Sequence, residues 1–286
     1  MKAIITYHHT IILSKLLLNA ETWSQLTKKN IADLETVQNS ALKRLLKLPI
    51  TTPTAILRSE LGIWSIESQL MYKKLSYLRR LLNLNNNVTK QVLMEQMNLP
   101  GPTWVSEVKS ILSTLNIKKS HEDIKNCSKY KWKNEVKKAI VKLELSKLQK
   151  VKDTTKKGQL LALDNIKIKN YLLNLNQSEA ATILKIRIGM VNVRDNYKYK
   201  YNDIKCQICK KADETTTHFL TCQEYRTEVT SNKILESLWS SGNSNEQINE
   251  MSAAAKIAEL RLVEKMHSDG NGVRCQEEED TSGEAT

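Results

Sequence analysis

Apolar residues recur at intervals of three and four along most of this chain, the period of helices with one face turned inward. From Ile31 the series Ile31, Leu34, Val37, Ala41, Leu42, Leu45 and Leu46 predicts an amphipathic helix, with Pro49 just past its end. Thr52-Pro53 reads as the cap and first position of a short second helix, which Gly62 stops in a left-handed conformation. A third helix from near Ser65 to Leu82 turns Leu70, Met71, Leu75, Leu78 and Leu82 inward, and Lys73, Lys74, Arg79 and Arg80 mostly outward. The asparagine cluster Asn83 to Asn87 and the run Pro100-Gly101-Pro102 break the pattern. Beyond them, Trp104, Val108, Ile111, Leu112 and Leu115 mark one helix, and Trp132, Val136, Ile140 and Leu143 another. A helix pair is expected over Ile166 to Leu175 and Ser178 to Ile188, and two more helices over Val229 to Trp239 and Ile248 to Met266. The expected class is all-α, with no internal repeat.

Composition narrows the partner. Lys and Arg number 44 against 31 Asp and Glu, a formal net charge of +13, which favours a polyanion, RNA or DNA foremost. Hydrophobic residues make up 40% of the 286, enough for a core, while 8 glycines and 4 prolines suit helices better than an all-β fold. Lysines 131, 133, 137, 138, 142 and 147, then 150, 152, 156 and 157, form a long line of cations, for any one of which a solvated face is the simpler account. The opening Met1 to Ala20 is apolar, but His8, His9 and Lys15 interrupt it, so a signal peptide is not expected. No run of eighteen apolar residues predicts a membrane span. The tail from Ser268, with Glu277 to Asp280 in a row, is expected to be disordered.

Candidate chemistry concentrates in Cys206 to Cys222. Cys206, Cys209, His218 and Cys222 stand at C-x2-C-x8-H-x3-C spacing: a first pair suited to a tight turn, and a second pair one helical turn apart. Thiolate and imidazole are borderline-soft donors that close a tetrahedron around one Zn2+, so the expected cofactor is a structural zinc in a CCHC module. A chance grouping of reduced cysteines is the bland alternative. Five cysteines, three of them in this set, fit a reducing compartment and an intracellular, nuclear and cytoplasmic protein. Cys127 and Cys275 lack ligand-spaced neighbours, and His8-His9, with no acidic partner nearby in sequence, reads as a surface or partly buried pair.

Just before the first cysteine, Asn196-Tyr197-Lys198-Tyr199-Lys200-Tyr201 alternates rings and cations. Either the rings stack on unpaired bases while lysines meet phosphates, or the segment is a short strand with one ring face buried. Candidate nucleic-acid contacts are therefore Lys43, Arg44, Lys47, Lys73, Lys74, Arg79, Arg80, Tyr197, Lys198, Tyr199, Lys200 and Tyr201. Two-metal phosphoryl chemistry needs converging carboxylates, and the chain has no Asp-Asp pair, no Gly-rich phosphate loop and no G-x-S-x-G turn. On its own residues it reads as a binder without a catalytic residue.

The succession Leu16-Leu17-Leu18-Asn19-Ala20-Glu21-Thr22-Trp23, Leu26-Thr27-Lys28-Lys29 and Leu34-Glu35-Thr36-Val37-Gln38-Asn39 resembles the segment after the palm in reverse transcriptases of non-LTR retrotransposons. Ala41 to Pro49, Thr52-Pro53-Thr54-Ala55 and Glu60-Leu61-Gly62 continue the similarity. It extends more loosely through Trp132-Lys133, Tyr171-Leu172, Arg187 and Asn196-Tyr197-Lys198 to the cysteine module, where Asp213-Glu214-Thr215 and His218-Phe219-Leu220 fit the family's closing zinc segment. The resemblance implies a thumb-like helical domain over 1–85, a linker over 86–102 and a helical connection region over 103–200. A zinc-binding module over 201–226, C-terminal helices over 227–267 and an acidic tail over 268–286 complete the division. It also implies the non-catalytic C-terminal part of an RNA-directed DNA polymerase, gripping template-primer, element RNA or target DNA, since palm and catalytic aspartates would lie upstream of Met1. A reading from another class is a host-recruited protein-interaction module whose charge serves only solubility.

Overall fold

A computed structural model describes residues 1–85, 88–154, 165–201, 203–227, 230–240 and 244–268. The chain begins with α1 (Lys2–Tyr7), a π-helical stretch (His8–Leu13) and α2 (Ser14–Leu16), then α3 (Lys28–Leu45), α4 (Thr54–Leu61) and α5 (Ile66–Leu82). Next come α6 (Val88–Asn98), α7 (Trp104–Thr114), α8 (His121–Asn126) and the longest helix, α9 (Lys129–Thr154). Short α10 (Tyr171–Asn174), α11 (Gln177–Arg187), a 3-10 helix (Arg194–Lys200), α12 (Thr216–Thr221), α13 (Asn232–Trp239) and α14 (Asn245–Ser268) follow. Among the described residues the only extended pairing is a single antiparallel bridge, Lys205 with Asp213. Among the same residues no helix is long and apolar enough to cross a membrane.

Caps set the helix starts as the sequence dictates. Thr27 accepts from the Asn30 N–H while the Asn30 side chain returns the bond, a capping box, and Ser65 caps α5 through Ser68. Gly62 ends α4 at φ +68°, and a Cβ there would lie 2.7 Å from the Lys167 carbonyl carbon and nearer still to the Ile168 nitrogen. Glycine is needed twice over, for its backbone angle and for the passing chain.

Three buried clusters hold the helices. One gathers Leu75, Leu78 and Leu82 of α5 with Leu93, Val105, Val108, Ile124, Trp132, Val136 and Ile140. Trp132 is fully buried and donates its indole N–H to the Leu75 carbonyl at 2.9 Å. A second, smaller cluster sets Leu13, Leu17 and Ala20 against Ile66 and Leu70. The third joins Leu42, Ile56, Leu57 and Leu61 to α11, the cysteine segment, Leu238, and Met251, Ala254, Ala255 and Ala258 of α14. At its centre Glu60 and Arg187, each 1% exposed, form a fork: Arg187 Nε and Nη2 reach Glu60 Oε2 and Oε1 at 2.6 and 3.0 Å. The Tyr171 hydroxyl donates to the same Oε2 at 2.9 Å.

Several expectations are corrected. Thr52 is not the cap of α4; its hydroxyl donates to the Pro49 carbonyl at 2.6 Å and Pro53 takes the cap position. The helix expected over Ile166 to Leu175 shrinks to Tyr171–Asn174, because the Lys169 N–H is spent on the Glu60 carbonyl of α4 at 3.1 Å. Lys74 does not face outward but is buried against the Glu107 carboxylate. Helix α6 stands within the stretch read as linker, and α8 is a helix the sequence reading did not single out. The tail beyond Ser268, Cys275, Lys156 and Lys157 lie outside the described residues.

Candidate metal centre and basic surface

The cysteine segment turns back on itself after Lys205. The Cys206 N–H donates to the Ala212 carbonyl and the Lys210 N–H to the Cys206 carbonyl, both at 2.8 Å, closing a tight turn in which Lys210 takes φ +56°. Thr215 then caps α12 by accepting from the His218 N–H at 3.1 Å. The helix carries His218 one turn before Cys222, whose N–H donates to the His218 carbonyl at 2.7 Å. Turn and helix thus aim four side chains at one point. The ligand atoms of Cys206, Cys209, His218 and Cys222 all lie within 4.8 Å of one another, and Cys209 Sγ is 3.3 Å from His218 Nε2.

This donor set fits a metal ion. Bonds of about 2.3 Å to sulfur and about 2.0 Å to nitrogen require donor separations of roughly 3.5 Å in a tetrahedron, so the cluster closes on an ion by shifts of about 1 Å or less. Main-chain N–H groups already point at the sulfurs. Burial raises the Cys209 thiol, but the N–H groups of Ala212 and Lys211, the His218 ring and the Cys206 thiol outweigh it and bring it down to about 6. Burial foremost, with Cys206 and Cys209 adding to it, pushes Cys222 up to about 11. Burial likewise raises Cys206, against N–H groups of Cys209 and Ile208. Three thiolates cannot share this space without a cation between them, a charge that a divalent ion would supply.

The surroundings were not legible in advance. Arg261, fully buried on α14, donates to the Phe219 carbonyl at 2.7 Å and lies 4.9 Å from the Tyr225 ring centre. Glu214, equally buried, takes Lys265 Nζ at 2.7 Å and the Arg194 N–H at 2.8 Å. These charges tie the turn to α14 and to the tyrosine segment. Arg261 and Lys265 are four apart on one helix face, but the sequence does not disclose what they meet.

The tyrosine segment is neither strand nor extended ribbon. It is a 3-10 helix kinked at Tyr197, with Tyr197 half-buried and Tyr199 and Tyr201 exposed by 74% and 38%. Lys200 Nζ stands 5.7 Å from the ring centres of both Tyr197 and Tyr199, Arg194 lies over Tyr201 at 5.1 Å, and Lys198 pairs with Asp195 at 2.9 Å.

Of the remaining candidates, Arg44 and Lys47 are exposed at the end of α3, while the Lys43 ammonium donates to the Ile50 carbonyl. Lys73, Arg79 and Arg80 line one cleft beside α9, which Lys43, Arg44, Lys47, Lys74 and Tyr197 to Tyr201 do not line. Lys129 and Lys133 of α9 join them there; their four-residue spacing was the available signal. His8 is fully buried with neither ring nitrogen bonded, whereas His9 is exposed. Compared with family models, curated proteins and solved structures, the chain finds no match in any of the three.

Proposed function

We propose that this chain is a nucleic-acid-binding helical scaffold, stiffened at one end by a structural Zn2+ held by Cys206, Cys209, His218 and Cys222. In this reading it is the non-catalytic C-terminal part of a retrotransposon RNA-directed DNA polymerase. Three sulfurs and one imidazole favour zinc over harder cations, and four protein donors leave no open coordination position, so the ion orders the chain and does no chemistry. The observation that carries the binding role is the exposed cation row of α9. Among the described residues Lys131, Lys138, Lys142 and Lys150 are exposed and engage no carboxylate. The reverse-transcriptase assignment draws on the ordered sequence resemblance from Leu16 to Cys222.

Lysine contacts to phosphate release counterions, so the logarithm of affinity for duplex DNA falls with that of salt at a slope of about 0.9 per contact. Anisotropy titrations of labelled RNA and DNA over a salt series measure that slope. Absence of binding in dilute buffer refutes the role. A protein-interaction module is favoured instead by one feature, the exposed Leu260, Val263 and Met266 at three-residue spacing on α14. It gains ground if the nucleic-acid titrations are flat.

A further inference from the structure

The cleft between α5 and α9 is strongly cationic: Lys73, Arg79, Arg80, Lys129 and Lys133 line it against one carboxylate, Glu21. Its volume is about 520 Å3, inside the range of nucleotide-sized sites and too small to admit a duplex. From α5, residues at helical spacing enter it: Lys73, Ser76, Arg80 and, between them, the ring of Tyr77. From α9 come Lys129 and Lys133, one turn apart. The charges are not equally engaged. Lys73 is held by Glu21 at 3.5 Å, and Arg79 is fixed by its Nε donating to the Cys127 carbonyl at 2.7 Å. The side chains of Arg80, Lys129 and Lys133 have no ion pair or hydrogen bond to any described group. Ser76 also lines the cleft, and its hydroxyl is buried without a hydrogen-bond partner. A buried hydroxyl normally finds one, so its donor awaits an acceptor from outside the chain. Cations that share a concave wall repel one another unless an anion enters.

We propose that this cleft seats one unpaired nucleotide of an RNA or DNA strand, its phosphate among Arg80, Lys129 and Lys133 and accepting from Ser76, with Tyr72 and Tyr77 flanking the base or sugar. The proposal rests on the nucleic-acid reading above and sharpens it to single strands at a named place. A phosphodiester supplies the acceptor oxygens and charge that the wall lacks, and the tyrosine rings suit any base.

The test uses the full zinc-loaded chain and fluorescein-labelled oligo(U). The triple variant R80E/K129E/K133E loses affinity by about tenfold or more at fixed salt and shows a shallower salt slope. The control K2E/K15E/K256E changes charge equally, and its three exposed lysines lie outside both the cleft and the cysteine cluster, so it changes affinity far less. Arg80→Gln alone gives a smaller loss in the same direction, and circular dichroism verifies that each variant is folded. Equal losses in cleft and control variants overturn the proposal while leaving general nucleic-acid binding intact. Wild-type chain that ignores oligo(U) in dilute buffer overturns both. Displacement of oligo(U) by duplex DNA at equal phosphate concentration, or by free AMP, also overturns it, since a strand-specific cleft resists the first and a multi-contact strand the second.

Discussion

Replacing Arg187 by Met tests what holds the two halves of the largest core together. The guanidinium donates twice to Glu60 on α4 and also to the Leu238 and Ser240 carbonyls at the end of α13, the latter at 2.7 Å. Methionine fills similar volume but donates nothing. The variant leaves a carboxylate with 2% side-chain exposure facing one donor, the Tyr171 hydroxyl, and strips two carbonyls of a partner. Burial, with Glu60 beside it, raises the Tyr171 phenol well above its ordinary range, so the hydroxyl stays protonated and keeps donating.

Breaking one side of a buried pair costs about 3 to 5 kcal/mol. Against a typical total stability of roughly 5 to 15 kcal/mol, that is a large fraction. Removing both partners in Glu60→Gln with Arg187→Met costs less than the two single changes summed, with a coupling of about 2 kcal/mol. Tyr171→Phe, which loses one bond to a charged acceptor, costs about 1.5 kcal/mol. Urea unfolding of the zinc-loaded protein, followed by circular dichroism, reads all four. A loss under about 1 kcal/mol for Arg187→Met refutes the pin. So does strict additivity of the two single changes.

Three further outcomes are expected. Cys206→Ser lowers zinc content from one per chain toward none by atomic emission and melts the cysteine module, because ion binding in such sites supplies on the order of 10 kcal/mol of folding free energy; unchanged metal content and melting contradict the site. Burial, and secondarily the charge of His9, lowers His8 to about 4. As pH falls below 6.5 the unfolded chain binds a proton that the folded chain refuses, so stability drops by roughly 1 kcal/mol per pH unit until about pH 4 and then levels. Thermal melts at pH 7 and pH 5 check this, since His8→Leu is expected to be less acid-sensitive than wild type, and equal sensitivity removes the buried imidazole from the account. Gly62→Ala is expected to destabilise by at least about 2 kcal/mol from positive φ and collision with the backbone of 167–168, and a neutral change in urea midpoint contradicts that packing.

How far the sequence reached depends on whether the signal is local. Helices α3, α5, α7 and α11 were legible because their own apolar spacing and caps carry the information. The cluster of Cys206, Cys209, His218 and Cys222 was legible for the same reason, spacing within seventeen residues. Helix α8 was not, since Ile124 alone of its six residues is buried and only the Ser120 and Asp123 capping box announces it. Lys74 misled because a lysine on an otherwise basic helix says nothing of the Glu107 that awaits it on α7. Tyr197 to Tyr201 misled because alternation suits a strand only where a neighbour offers a ladder. Here the Asp195 N–H goes to the Glu214 carbonyl and the Tyr201 N–H back to the Lys198 carbonyl, which winds the segment instead.

The long-range charges decide what the metal controls. Phe219 and Leu220 of α12 belong to the same core as Leu57, Ile183 and Ala255, so the cysteine module has no separate interior. Arg261 holds the Phe219 carbonyl, and Lys265 holds Glu214 and the Asn192 carbonyl, so α14 reads the turn at both of its ends. Without a bound ion Cys206 and Cys222, raised by burial, keep their protons, so the bonds that would tie the turn to α12 are absent and α12 is expected to loosen from that core, weakening the Phe219 carbonyl contact of the buried Arg261. Such a loss is expected to spread into α14 and the tyrosine segment, while the α5 and α9 cleft, built on a different core around Trp132, keeps its shape. The proposed metal dependence of the module and the proposed strand binding by the cleft therefore call for separate tests: metal removal is expected to alter the first and leave the second.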